Sequence, residues 1–234
     1  NAAHTTLLAS STLAANGTVD FVVGDFNSQV SSTFYYPQIT TLTATNNYRA
    51  EFDESSGFLS SGPAMSVNWG STNVVKVYDV NLTAGTTYDF ALNMVSGTTD
   101  VGIALFKPTG SLYYAGRVSA DASSNSGAAG QGESFSYTAP ATGTYGFAVW
   151  GENAASSTFT IGVNPRLMNA VTTNHGAGLG YYSINQTNNY WSVAGVQSAT
   201  NADMWLYSDG TYQTQLASST LGIGVVDFIV NDNN

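Results

Sequence analysis

General acid–base catalysis needs a side chain that titrates near neutrality, and the chain offers two histidines, His4 near its start and His175 within a Gly-rich stretch. Neither sits in a G-x-S-x-G elbow, an H-E-x-x-H helix or a phosphate-binding glycine loop, and Gly176-Ala177-Gly178-Leu179-Gly180 does not open a helix. Both histidines therefore read as solvated loop residues. Asp53 and Glu54 are adjacent, so on a strand they point to opposite faces and make no acid–base pair; they read as a solvated strand end. Zero cysteine removes thiolate nucleophiles, thiolate metal sites and disulfides. No nucleophile, base and orienting group can be assembled from these residue types, and the chain is expected not to be an enzyme.

Binding chemistry has more material. Acidic turn residues Asp203, Asp209, Asp227 and Asp232 offer the oxygens that calcium takes, although none has EF-hand or nonapeptide spacing. Calcium is thus the one candidate ion, and no other cofactor is expected. Trp69, Trp150, Trp191 and Trp205 are the residues from which a sugar-stacking platform would be built. Trp150 and Trp205, however, lie in alternating segments where core packing is the better reading. Asn16-Gly17-Thr18, Asn81-Leu82-Thr83 and Asn185-Gln186-Thr187 fit the glycosylation sequon. A net charge of −10 with only 5 Lys and Arg leaves no basic patch for phosphates, so nucleic acid and anionic membranes are not expected partners. No run of 18 apolar residues is present to span a bilayer.

The elements that must position these groups are strands. Charged residues are 9% of the chain, far below the usual quarter or so, while 43% is hydrophobic, including 14 Tyr and 11 Phe. Such a chain folds, and it wears hydroxyls and amides on its surface. A period of two runs through Val74 to Val80, Thr87 to Leu92, Tyr145 to Trp150 and Ser157 to Val163, each with one face to bury. Ala84-Gly85-Thr86, Lys107-Pro108-Thr109-Gly110 and Pro140-Ala141-Thr142-Gly143 punctuate them as turns, and no window sustains a capped helical pattern. The small, polar stretch Ser119 to Gly132 reads as a long exposed loop, and Asn164 to Gly180 as a domain linker.

Repetition appears at two levels. LASSTLAANGTVDFVVGDFN, from Leu8 to Asn27, matches LASSTLGIGVVDFIVNDNN, from Leu216 to Asn234, almost throughout. The segment Thr99 to Gly110 also resembles Asn201 to Gly210: each is an Asp, then a strand, then a turn ending in Gly.

Residues 64–163 resemble the bacterial pre-peptidase C-terminal domain, a small jelly-roll-like β-sandwich. The residues that carry the resemblance are Val77-Tyr78-Asp79-Val80, Leu82 to Tyr88, Thr99 to Gly110, Ser134 to Pro140 and Gly143 to Val149. One departure is that Asp100 is followed by Val101-Gly102-Ile103, where the family usually carries Asp-x-Asp-Leu. The resemblance implies a non-catalytic module of a secreted or surface protein, and hence an extracellular or cell-surface location.

The expected architecture is all-β, with two related jelly-roll-like antiparallel β-sandwich domains. Residues 63–165 form the first. Residues 166–234 form the N-terminal half of a second, too short to close by itself, and residues 1–62 resemble its C-terminal half. Completion within the chain, between subunits by strand addition, or within a long covalent array are all open. The duplicated segments, with Leu8, Val19, Phe21 and Val23 in one copy and Leu216, Val226, Phe228 and Val230 in the other, are the expected assembly contacts. They point to self-assembly into a homopolymer, that is, a structural subunit of an extracellular fibre, sheath or surface layer. The alternative is a carbohydrate- or protein-binding module of a secreted enzyme or adhesin, with polysaccharide as the further partner. The sequence begins at Asn1 with no charged-then-apolar leader and reads as a processed or excised piece.

Overall fold

A computed structural model describes residues 7–13, 19–25, 36–40, 48–108, 113–166, 179–184, 191–198, 200–208, 210–223 and 226–232. The described elements are strands β1 (Val23–Gly24), β2 (Met65–Trp69), β3 (Val75–Leu82), β4 (Thr87–Gly97), β5 (Val101–Phe106), β6 (Tyr113–Tyr114), β7 (Ala122–Ser124), β8 (Glu133–Thr138), β9 (Gly143–Gly151), β10 (Ser157–Pro165), β11 (Trp191–Gln197), β12 (Met204–Tyr207), β13 (Gln215–Ser219) and β14 (Val226–Asp232). One 3-10 turn, Gly116–Ser119, is the sole helical element among the described residues. The four alternating segments read from the sequence are β3, β4, β9 and β10.

Two antiparallel four-stranded sheets, in the orders β2-β10-β4-β8 and β3-β9-β5-β7, face each other. Alternation dictates the packing between them, because every second side chain of a strand points to the same face. Phe90 and Leu92 of β4 and Phe159, Ile161 and Val163 of β10 meet Ile103 and Leu105 of β5 and Phe147 and Val149 of β9, all at most 1% exposed. Stacked rings run through this core: Phe90 lies 5.0 Å from Phe135 and 5.5 Å from Phe147. Between β3 and β4, Gly85 takes φ +79° at the expected turn, a conformation cheap only for glycine.

Two expectations need correcting. The stretch 119–132 is not simply an exposed loop, because it contains the edge strand β7, and Asp121 in it both caps the Lys107 amide and pairs with the Lys107 ammonium at 2.8 Å. Asp53 is not a solvated strand end. Residues 51–59 run beside the free edge of β3, where Glu51 accepts from the amides of Val74 and Val75, Asp53 from Val77 and Ser55 Oγ from Asp79. Burial would raise the Glu51 carboxyl pKa, but these two amides and the Asn73 side chain outweigh it and hold it below the ordinary value. The side chains thus occupy an edge that would otherwise invite another strand.

Beyond β10, β11 pairs with β14 and β12 with β13, all antiparallel. These pairings repeat the pattern of β4 with β8 and β5 with β7. C-terminal residues outside these strands meet the sandwich where the Ala64 amide donates to Gly210 O at 2.8 Å and where Asp89, which also accepts from Ser136 and Arg166, accepts from Ser183 Oγ. No strand of the N-terminal block pairs with β11 to β14 among the described residues; β1 instead pairs with β6 of the first sandwich.

Candidate functional site

All six residues of β5 are buried, although only alternate ones can face the inter-sheet core. Something must therefore cover the outer face of its sheet. In register, that face reads Gly102 opposite Trp150, Ala104 opposite Ala148 and Phe106 opposite Gly146. Each large side chain has a small residue across from it. The Trp150 indole lies over Gly102 so closely that a Cβ there would meet the ring at 2.1 Å. The two alanines leave a shallow floor between Trp150 and Phe106.

The cover is the first copy of the duplicated segment. Val19 and Phe21, each 8% exposed, pack with half-buried Val23 onto Val74, Trp150, Phe106 and Tyr114. The Phe21 ring reaches both walls of the floor, 5.5 Å from the Trp150 centroid and 6.4 Å, edge to face, from Phe106. Such aromatic pairs contribute about 0.5–1.5 kcal/mol beyond area burial. At the rim, Arg117 stands over the Trp150 ring at 5.2 Å and pairs with Glu152 at 2.8 Å. Arg49 ties the following segment to the same end of the sandwich by donating to the carbonyls of Ser71, Asn73, Gly151 and Asn153.

The two copies share a local latch. Asp20 Oδ1 accepts from Ser11 Oγ at 2.6 Å and from the Leu13 amide at 2.9 Å. Asp227 Oδ1 accepts from Ser219 Oγ at 2.6 Å and from the Leu221 amide at 2.8 Å. Within the sandwich, Glu133 makes a related pair of bonds, with one oxygen accepting from Ser124 Oγ and the other from the Gly127 amide. In each instance the second Ser of an Ala-Ser-Ser run donates to an acid further along the chain, and in the two later instances that run lies in a strand, β7 or β13; the recurrence was visible in the sequence only for the two outer copies. The physical signal is the Ser hydroxyl placed eight or nine residues before the acid.

The copies differ in which face they cover. Val226, Phe228 and Val230 are 45%, 53% and 51% exposed, while Asp227 and Ile229 are buried. Leu8 and Leu216 are both exposed. Of the tryptophans, Trp69 and Trp150 are buried and cannot stack on a sugar, whereas Trp205, expected in the core, is 42% exposed. Its neighbour Tyr207 packs on Tyr212, which in turn meets Tyr181 at 4.9 Å.

Among the described residues, no three His, Asp or Glu side chains converge as metal ligands. Asp203 Oδ1 instead accepts from the Asn201 side-chain Nδ2, and Asp227 serves the latch. His4, His175, Asp209, the side chains of Trp191 and Asp232, and the sequons at Asn16 and Asn185 lie outside the described residues. Asp100, at the departure from the family pattern, has its carboxyl pKa raised by burial and by the nearby charges of Glu152 and Glu133. No helix among the described residues is long and apolar enough to cross a membrane.

The model of the bacterial pre-peptidase C-terminal domain matches residues 74–150. No curated protein matches the chain. Among solved structures, the pre-peptidase C-terminal domain of a collagenase from Bacillus anthracis aligns at 15% identity and a TM-score of 0.38, over 50% of this chain and 100% of that one. A periplasmic inhibitor of g-type lysozyme from Aeromonas hydrophila aligns at 12% identity and a TM-score of 0.29, over 48% of this chain and 100% of that one. The family model, falling from the start of β3 to the end of β9, carries the assignment: the all-β antiparallel sandwich of this chain is a pre-peptidase C-terminal-like domain.

Proposed function

We propose that the chain is a non-catalytic module of a secreted enzyme or adhesin, working through protein contacts made on apolar sheet faces. One observation carries this reading: the sandwich already holds another stretch of chain, Val19 to Val23, on the outer face of β5 and β9. A face built of alternating large and small residues suits a packed strand rather than a substrate in transit. The match to a domain appended to secreted proteins supports an extracellular setting.

The test is turnover together with capture. The purified chain is expected to show no hydrolysis of peptide, ester or glycoside substrates; turnover abolished by one point substitution overturns the reading. Polysaccharide binding is a second reading, favoured by the 42% exposure of Trp205. Retention on an insoluble polysaccharide that is lost in Trp205→Ala would select it. The fibre, sheath or surface-layer subunit is a finer proposal resting on the duplicated ends. Uniform single particles by electron microscopy at high concentration would remove it. Calcium binding is likewise a proposal, read by a calcium-dependent rise in melting temperature.

A further inference from the structure

The same pattern, Val-Asp-Phe followed by an aliphatic residue and Val, stands at Val19 to Val23 and at Val226 to Val230, fixed in both copies by the same Ser–Asp–Leu latch. In the first copy the Val-Phe-Val face is buried on the sandwich; in the second it is exposed. A strand alternates strictly, so the latch that turns Asp227 inward necessarily turns Val226, Phe228 and Val230 outward. Three consecutive outward apolar side chains form a contiguous patch of the kind that marks an interface.

From this juxtaposition we propose that Val226, Phe228 and Val230 dock on the outer β5–β9 face of a second copy of this chain, in the seat that Val19, Phe21 and Val23 fill here. The occupant is specified by what the first copy touches: a floor of Ala104 and Ala148 between Trp150 and Phe106. Phe228 takes the place of Phe21 between these two rings. The contact is heterologous, since the C-terminal patch of one molecule meets the sandwich face of the next, and it propagates head to tail unless the rotation closes. It is independent of whether the module belongs to an enzyme or an adhesin.

In an isolated molecule the seat is contested. The N-terminal copy is tethered to its own sandwich at an effective concentration on the order of millimolar, so exchange with a near-identical segment from another molecule becomes appreciable only at comparable protein concentration. Weakening the resident segment should therefore strengthen association, whereas a charge on the incoming one should abolish it.

Sedimentation velocity over a concentration series reads this directly. Phe21→Asp is expected to lower the concentration for half-association at least about tenfold relative to the unmodified chain. Phe21→Asp/Phe228→Asp is expected to stay monomeric at every concentration at which Phe21→Asp associates. Equal association of the single and double variants, or a folded Phe21→Asp that associates no better than the unmodified chain, overturns the proposal. Phe228→Asp alone alters an exposed side chain and leaves folding intact. Near-millimolar NMR spectra should show concentration-dependent shifts at Ala104, Ala148 and the Trp150 indole in the unmodified chain that vanish in Phe228→Asp. Spectra of the two that change identically with concentration also overturn it.

Discussion

Phe21→Ala separates a docked segment from an integral strand. An aromatic side chain buries about 150–250 Å². With 8% of Phe21 left exposed, burial at about 25 cal/mol per Å² is worth about 3.5–6 kcal/mol, an upper bound because the unfolded chain already buries some of it. Alanine keeps the Cβ, so the loss is about 3–4 kcal/mol, in line with measured Phe→Ala costs. Val19 and Val23 cannot replace it, because only Phe21 stacks between Trp150 and Phe106. A loss of 3 kcal/mol corresponds to a change on the order of a hundredfold in the opening equilibrium. Hydrogen exchange followed by mass spectrometry should show peptides covering 19–25 and 113–114 exchanging faster by that order. Peptides within β4 and β10, which do not touch Phe21, should keep their protection. Unchanged exchange at 19–25 would mean that Phe21 does not hold the segment. Equal acceleration in β4 and β10 would mean that the segment is part of the cooperative core, and the reasoning from a separable cover would fail.

Gly102→Ala should be more damaging than its size implies, because the new methyl meets the Trp150 ring at 2.1 Å; a fall in stability of about 1–3 kcal/mol in urea unfolding is expected, with Phe21→Ala losing part of its effect in that background. Asp227→Ala should cost about 1–3 kcal/mol, by removing a buried acceptor of two hydrogen bonds, and Asp20→Ala less, since Asp20 makes the same bonds at an exposed site; protease sensitivity of the two segments should follow that order. Burial would raise the Asp89 carboxyl pKa, but the hydrogen bonds from Arg166, Ser136 and Ser183 outweigh it and lower it. Its contribution is then complete above the ordinary Asp pKa and lost as pH falls through the lowered value. The melting temperatures of the unmodified chain and Asp89→Asn should differ at neutral pH and converge in acid.

The alternation of apolar residues determined a good deal without any tertiary information. Strands β3, β4, β9 and β10 and the glycine turn at Gly85 follow from a period of two and from the one residue that tolerates a positive φ. The duplication was equally legible, because near-identical strings need no structure to compare. What the sequence did not decide was the face to which each strand's apolar side is applied. Trp150 and Trp205 sit in segments of similar pattern, yet one is fully buried and the other 42% exposed, since burial depends on whether a neighbour lies across the sheet. Asp53 reads as a solvated strand end, and only the nearby edge of β3 makes it, together with Glu51 and Ser55, an acceptor for that strand's amides. The duplicated segment is the plainest case. Val19-Asp20-Phe21 and Val226-Asp227-Phe228 are identical in sequence and in latch, although only the second copy is paired strand over these residues. Whether the segment hides phenylalanine or presents it is settled by packing, because the sandwich face that covers the first copy lies far from it along the chain and has no counterpart over the second among the described residues.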